Sequence, residues 1–276
     1  MPTSTSALPS IDQDYALTPE TIAAFRRDGH IRLPSLATRN EIAVYHPVIA
    51  KAIEDEVDVL EPYAKATQEQ RLFPAIVRLW MRHEGVRRFA FARRFAKVAA
   101  ELFGCRAVRM YHDGSMYKHS GGPGTPWHQD GFYMPVETDH VATLWMPLID
   151  MPETMGTLSF ASGSHLHHCV QEAPPINETE PHFEKQIAEH RWPVVHTGAM
   201  AAGDATLHLK WTLHRVPPNS SGRTREAFSV IYVDADARLL EKPNARESSM
   251  IGYNLGALPP GSPLGDAINP VIYRAD

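Results

Sequence analysis

His128 and Asp130, in the run Thr125-Pro126-Trp127-His128-Gln129-Asp130-Gly131, are the side chains whose types and spacing most suggest chemistry. On an extended strand alternate side chains share a face, so these two project together while Gln129 points across. An imidazole beside a carboxylate supplies much of a divalent-metal site: the nitrogen suits iron, zinc or copper, and the carboxylate adds hard oxygen and charge compensation. The tripeptide alone equally fits a surface pair beside a turn, because a chain with 15 histidines and 32 acidic residues produces it easily by chance. A second histidine changes the reading. His214 stands just before Pro217-Pro218-Asn219, where it could complete a facial triad of two histidines and one carboxylate that holds non-haem iron and leaves positions open. Arg225 then begins the next antiparallel strand and can point into the same mouth. Its planar guanidinium offers paired hydrogen bonds to a carboxylate, as a dicarboxylate co-substrate would require. Arg223 is its rival, placed in the turn.

These residues need elements to hold them. Thr18-Pro19-Glu20 starts a helix, with Thr18 as cap and Pro19 at the first position, and Asp28-Gly29 ends it. Ile31-Arg32-Leu33 alternates as a strand. Thr38 and Glu41 have capping-box spacing for a second helix with Pro47 inside it. Further helices are predicted over Ala75–Met81 and Val86–Phe103, the latter closed by Gly104. From Ala107 the texture changes to short apolar alternations between Gly, Pro, Asn and Asp. Strands are predicted at 108–111, 115–118, 141–148, 157–160, 205–209 and 228–233, a pattern of sandwiches and barrels. Residues 166–193 look like an insertion, equally a substrate lid or surface decoration.

The 276 residues, 43% hydrophobic and 21% charged, have ordinary globular composition and can bury a sizeable core. A formal charge of −5 provides no basic footprint for nucleic acid or anionic membrane. No apolar run approaches the roughly 20 residues of a membrane span, and no secretory signal opens the chain. Cys105 and Cys169 are too few for a disulfide framework. A cytoplasmic protein is expected.

Taken together, the motifs resemble the phytanoyl-CoA dioxygenase family of iron(II)/2-oxoglutarate oxygenases. The resemblance runs from Phe25-Arg26-Arg27-Asp28-Gly29-His30 through Thr125–Asp130, Gly156-Thr157-Leu158 and Ser162-Gly163-Ser164-His165 to Gly203-Asp204, His214, Pro218-Asn219 and Arg225. It implies a mainly β fold with flanking helices, a double-stranded β-helix or cupin-like jelly roll. The chain would then be one domain: a helical part over about 17–105, the jelly-roll core over about 106–235 and a tail over about 236–276. His128, Asp130 and His214 match the iron ligands, and Arg225 the partner of the distal carboxylate of 2-oxoglutarate. Trp145 matches a tryptophan near that co-substrate in relatives, and Thr157 could hydrogen-bond it through its hydroxyl, with a core tryptophan and a plain strand threonine as the alternatives. Tyr117 and Lys118 precede the glycine-rich run, where relatives place pocket residues, but read more readily as an exposed strand end; His208 reads as a neighbour of the metal, His165 as a turn residue or one behind the ligands, and His167 and His168 as surface. Two departures touch the surroundings of the site: Phe160-Ala161 stand where relatives commonly have proline before Gly-Ser, and Val216 where some have a hydroxyl.

The implied activity is oxidation, most simply hydroxylation, of a C–H bond of a small organic, natural-product-like substrate, using iron(II), 2-oxoglutarate and O2. A carboxylate at Asp130 favours hydroxylation, desaturation or ring formation over halogenation, since related halogenases have a small residue there. The competing reading is a cupin-type metal-dependent isomerase or ligand-binding protein without 2-oxoglutarate chemistry. An acyl-CoA substrate would want a basic patch, and Arg82, Arg87, Arg88, Arg93 and Arg94 are the arginines to locate.

Overall fold

The computed structural model describes residues 8–59, 72–168 and 178–275; Cys169, the centre of the insertion and the first residues of the N-terminal segment lie outside them. Helix α1 (Pro19–Asp28) forms as its caps dictate: Thr18 Oγ1 accepts the Thr21 N–H, and Gly29 takes φ 79° at the C-terminus, a conformation costly for residues with a Cβ. The capping box of α2 (Arg39–Val59) is also present. The Thr38 N–H donates to Glu41 and the Glu41 N–H donates to Thr38 Oγ1. Two further helices follow, α3 (Glu84–Ala90) and α4 (Arg93–Phe103).

The strands are β1 (His30–Leu33), β2 (Ala107–Ser115), β3 (Thr125–His128), β4 (Val141–Pro147), β5 (Ser159–Ala161), β6 (Val194–His196), β7 (Ala205–Leu209), β8 (His214–Val216), β9 (Ala227–Asp234) and β10 (Val271–Arg274). They pair antiparallel in two sheets, ordered β1-β7-β4-β9-β2-β10 and β3-β8-β5-β6. The large sheet therefore takes a strand from each flanking part, β1 from the helical part and β10 from the tail. Helix α5 (Thr179–His190) lies in the insertion, and α6 (Ala245–Asn254) in the tail.

Strand alternation explains the layering. Ala142, Leu144 and Met146 of β4, Ala205 and Leu207 of β7, and Phe228, Val230 and Tyr232 of β9 join one core with Phe25, Ile49, Phe89 and Phe95 of the helices. The opposite register turns Thr143, Trp145, Thr206, His208 and Ser229 toward the small sheet. The two inner faces meet where Phe160 of β5 stacks on His30 at 4.5 Å and approaches the His208 ring at 5.3 Å.

Two helix expectations fail for identifiable reasons. Only Leu79–Met81 of the predicted Ala75–Met81 helix forms a turn, and it is 3-10. Edge groups of β2 capture the backbone instead: Ile76 N–H donates to Ser115 Oγ, Arg78 N–H to the Asp113 carbonyl and Trp80 N–H to Asp113 Oδ2. The predicted Val86–Phe103 helix breaks into α3 and α4 at Ala92, whose ψ of 121° is extended.

Asp113 gives the fold a pH dependence. It is fully buried, and burial raises its pKa from 3.8 to about 7, against the pull of the Trp80 N–H. The folded state thus holds a proton that the unfolded state releases. This contribution to stability is complete below the unfolded value and is lost as the pH rises through about 7. Denaturant titrations at pH 5 and pH 8 should show wild type losing roughly 2–4 kcal/mol more across that interval than Asp113→Asn.

Candidate metal centre

Strand β3 ends at His128, and Asp130 opens a 3-10 turn (Asp130–Tyr133), yet Gln129 keeps extended angles (φ −121°, ψ 126°) and preserves the alternation. Its Nε2 donates across to the Trp211 and His167 carbonyls. His214 begins β8, hydrogen-bonded beside β3 with His128 and His214 in register. One ligand atom each from His128, Asp130 and His214 lie within 4.8 Å of one another. Both Nε2 atoms stand 3.6 Å from Asp130 Oδ1.

Backbone carbonyls set the tautomers. His128 Nδ1–H donates to the Pro126 carbonyl (2.8 Å) and His214 Nδ1–H to the Thr212 carbonyl (3.0 Å), which leaves each Nε2 lone pair facing the carboxylate. Burial, with His214 beside it, pulls the pKa of His128 down to about 4; burial and His208 do the same for His214. Both rings are neutral near pH 7, as metal ligands must be. Burial opposes ionisation of Asp130, but the surrounding His214, His208 and His128 outweigh it and hold the carboxyl below its ordinary range. Two neutral imidazole nitrogens and one carboxylate oxygen on a common point fit iron(II) well.

The other carboxylate oxygen faces the large sheet. Thr143 Oγ1 donates to Asp130 Oδ2 at 2.7 Å, and His208 Nε2 lies 3.4 Å away. Thr143 is readable in the sequence only as an inward position of β4. Thr143→Val removes the hydroxyl at nearly constant volume, so metal affinity should fall roughly 10–100-fold. Competition with a fluorescent chelator measures this.

His208 is a neighbour of the triad as expected, but by a different route. An even separation on a single strand would bring it and His214 to one face. Instead the chain passes from the large sheet to the small one between β7 and β8, and the two rings meet from opposite sheets at 4.2 Å. His112 is a residue the sequence reading missed. From Met110, alternation turns it outward, but a bulge between Met110 and His112 reverses the face, pairing His112 with inward Ile231. This half-buried imidazole lies within electrostatic reach of Asp130.

Arg225 lies two residues before β9 and is 2% exposed, whereas Arg223 is exposed. Its Nε and Nη2 donate to the Met116 carbonyl and Nη1 to the Gly156 carbonyl. Among the described residues it has no carboxylate partner. Burial pushes its pKa down to about 9, which still leaves it cationic near pH 7. The buried Trp145 ring is 5.6 Å from its guanidinium carbon, and buried Thr157 follows Gly156 directly. Gly156 takes φ +83°, and a Cβ there would meet the Pro217 carbonyl oxygen at 2.4 Å. Glycine at this point thus lets the carbonyl that holds Arg225 lie against the turn after His214. Lys118 is completely buried and Tyr117 nearly so, which corrects the expectation of an exposed strand end.

The remaining histidines form no second metal cluster among the described residues. His165 Nε2–H donates to the Arg26 carbonyl, His168 stacks on Trp211, and His167 packs against His190 and Trp192. In the insertion, α5 packs on β3: Glu180 accepts the Trp127 N–H at 2.7 Å, and Phe183 joins Trp127 and Leu213 in a buried cluster. This helix buttresses the strand that carries His128.

Comparison with known proteins agrees with this arrangement. The structure is similar to the non-haem alpha-ketoglutarate-dependent carbocyclase SnoK from nogalamycin biosynthesis (TM-score 0.75, 23% identity, covering 98% of this chain and 99% of that one). It is also similar to the epimerase SnoN from the same biosynthesis (TM-score 0.72, 25% identity, 92% and 98% covered). A third similar structure is EctD from S. alaskensis with 2-oxoglutarate and 5-hydroxyectoine (TM-score 0.67, 21% identity, 86% of each chain covered). No curated protein sequence matches the chain. The family model for phytanoyl-CoA dioxygenase matches residues 25–227, a span that holds His128, Asp130, His214 and Arg225. The chain belongs to the phytanoyl-CoA dioxygenase family and is an enzyme of the 2-oxoglutarate-dependent non-haem iron class.

Proposed function

We propose that this enzyme hydroxylates a C–H bond of a small organic substrate of natural-product type, on a double-stranded β-helix formed by the two sheets. The observation that carries the reading is the pairing of a converging His-Asp-His set with a buried arginine that has no carboxylate partner among the described residues and is held by the Gly156 carbonyl, against the turn that follows His214. His128, Asp130 and His214 hold iron(II), and Arg225 binds the far carboxylate of 2-oxoglutarate. Iron(II) with 2-oxoglutarate and O2 supplies an oxidant for unactivated C–H bonds, with 2-oxoglutarate leaving as succinate and carbon dioxide. The chain's own residues place the reactants. Carbonyls of Pro126 and Thr212 fix the imidazole tautomers, Thr143 orients Asp130, and Trp145 and Thr157 line the co-substrate's place beside Arg225.

The substrate reading has support from the arginines an acyl-CoA would need. Arg82 pairs with Glu56, Arg88 with Glu84, Arg93 with Asp14 and Arg94 with Glu41, while Arg87 lies over Trp80 and Phe91. They are engaged in structural pairs rather than gathered for phosphates. The epimerase SnoN, 25% identical to this chain, has been captured in complex with Fe3+, alpha-ketoglutarate and nogalamycin RO, which favours a comparable class of substrate. Among the described residues, no helix is long and apolar enough to cross a membrane, consistent with a small-molecule enzyme working in the cytoplasm.

Anaerobic addition of 2-oxoglutarate to iron(II)-loaded protein should produce a weak visible charge-transfer band, followed by succinate release when air and a substrate are admitted. Iron binding with no band would leave the cupin-type isomerase or binding protein in its place.

A further inference from the structure

We propose that the substrate carries a carboxylate that Arg246 receives, at the end of the site that helix α6 covers, away from Arg225. The proposal rests on the oxygenase reading and adds a substrate class to it.

The inner face of the large sheet sets the order of the parts. Trp145 of β4 pairs with Ser229 of β9, Thr143 with Ile231, and Val141 with Val233. Trp145 lies beside Arg225 and Thr143 is bound to Asp130, so co-substrate and metal take the first two levels. Each level is two residues, or about 7 Å, along the strand. The third level is apolar. There Val141 and Val233 join Met134, together with Ile251 and Leu255 of α6, in one buried cluster. Helix α6 thus covers the inner face one level beyond the metal, and a substrate approaching from that end meets the first turn of this helix.

Arg246 is the second residue of α6, and it departs from the local rules that shape the helix. Asn244 and Glu247 form a capping box that fixes the start, and a cation in that first turn opposes the helix dipole. Glu247, an acid that bears on Arg246 electrostatically, is engaged by the Asn244 N–H. Among the described residues Arg246 makes no ion pair, and its Nε is buried without a hydrogen-bond partner. The guanidinium carbon lies 3.0 Å from the centre of the Phe132 ring, in the turn that Asp130 opens. Tyr133, the next residue, is within electrostatic reach of both Arg246 and Asp130. The arginine is therefore held at the rim of the metal centre.

A buried N–H without an acceptor costs stability until something enters to meet it. Side chains that break local rules with no structural return mark functional sites. A guanidinium seated over a ring is positioned by it and keeps its N–H edge for a planar partner, and a carboxylate matches that edge with two oxygens.

Calorimetry on the iron(II)-loaded protein under argon, at saturating 2-oxoglutarate, tests the proposal with 2-naphthoate and the uncharged 2-naphthamide as probes. Wild type should bind the acid roughly 10–100-fold more tightly than the amide, and the acid should perturb the 2-oxoglutarate charge-transfer band. Arg246→Met should abolish the preference while leaving amide binding, and the band with 2-oxoglutarate alone, as in wild type. Arg246→Lys should keep part of the preference. Without ligand Arg246→Met should melt at or above wild type, because an unpaired cation has gone from the first turn; that result also shows that the variant folds. A wild type with no preference for the acid, whether it binds both probes or neither, overturns the proposal while the oxygenase reading stands. So does naphthoate that rising 2-oxoglutarate displaces, since the acid then sits at Arg225, and so does an Arg246→Met that keeps the preference. Melting of Arg246→Met well below wild type assigns the arginine to the fold and overturns the proposal as well. A wild type with no charge-transfer band removes the oxygenase reading, and this proposal with it.

Discussion

Asp130→Ala is expected to leave the protein folded and unable to retain iron(II). Wild type should emerge from anaerobic loading and gel filtration with one iron per chain, and the variant with none. Two neutral imidazoles remain, but the charge-compensating oxygen that both Nε2 atoms face at 3.6 Å is gone. The loss should lie well beyond the roughly 10–100-fold expected from removing an outer partner such as the Thr143 hydroxyl, and 2-oxoglutarate turnover should fall to background. Asp130→Asn refines the result. It keeps the shape and can still meet Thr143, so its defect measures the charge; near-normal iron retention in Asp130→Asn would assign the carboxylate a steric role instead.

Arg225→Met should produce the other large effect, on the co-substrate and not on the metal. Losing one member of a buried charge pair costs roughly 2–5 kcal/mol, or about thirtyfold to several-thousandfold in affinity. Iron retention should match wild type, because no triad ligand is touched, while the charge-transfer band at moderate 2-oxoglutarate disappears and returns only at very high concentration. Stability without ligand should change little by comparison: the variant loses the bonds to the Met116 and Gly156 carbonyls but is relieved of a buried cation. Arg225→Lys should rescue poorly, since an ammonium cannot reproduce the planar fork. A band of wild-type strength in Arg225→Met would send the search for the carboxylate's partner elsewhere.

Much of this was legible from local signals. Thr18, Gly29 and the Thr38–Glu41 pair describe their helix ends because capping is decided within a few residues. The inward positions of β4 and β9 follow from a period of two. His128 and Asp130 share a face for the same reason, even though the strand stops between them. What escaped depends on partners distant in sequence. The bulge at Tyr111 has no local mark, so the facing of His112 is reversed without warning. The Ala75–Met81 segment has helical spacing, yet Ser115 and Asp113 bind its backbone first. Lys118 has the composition of an exposed strand end, and only its bridge to Arg225 and the Phe73 ring cover it. His208 and His214 meet because the chain changes sheets between them, a tertiary event that sequence spacing does not encode.

That change of sheets has a consequence for how the enzyme is held together. His128 and His214 stand on the small sheet, while the free oxygen of Asp130 is tied to Thr143 on the large one. An ion gripped by all three would therefore act as a fastener between the two layers, beside the contacts that Phe160 makes with His30 and His208. Its affinity and the docking of the layers are two views of one free energy. A substitution deep in either sheet that loosens the docking will be felt as weaker iron retention, with every ligand still in place.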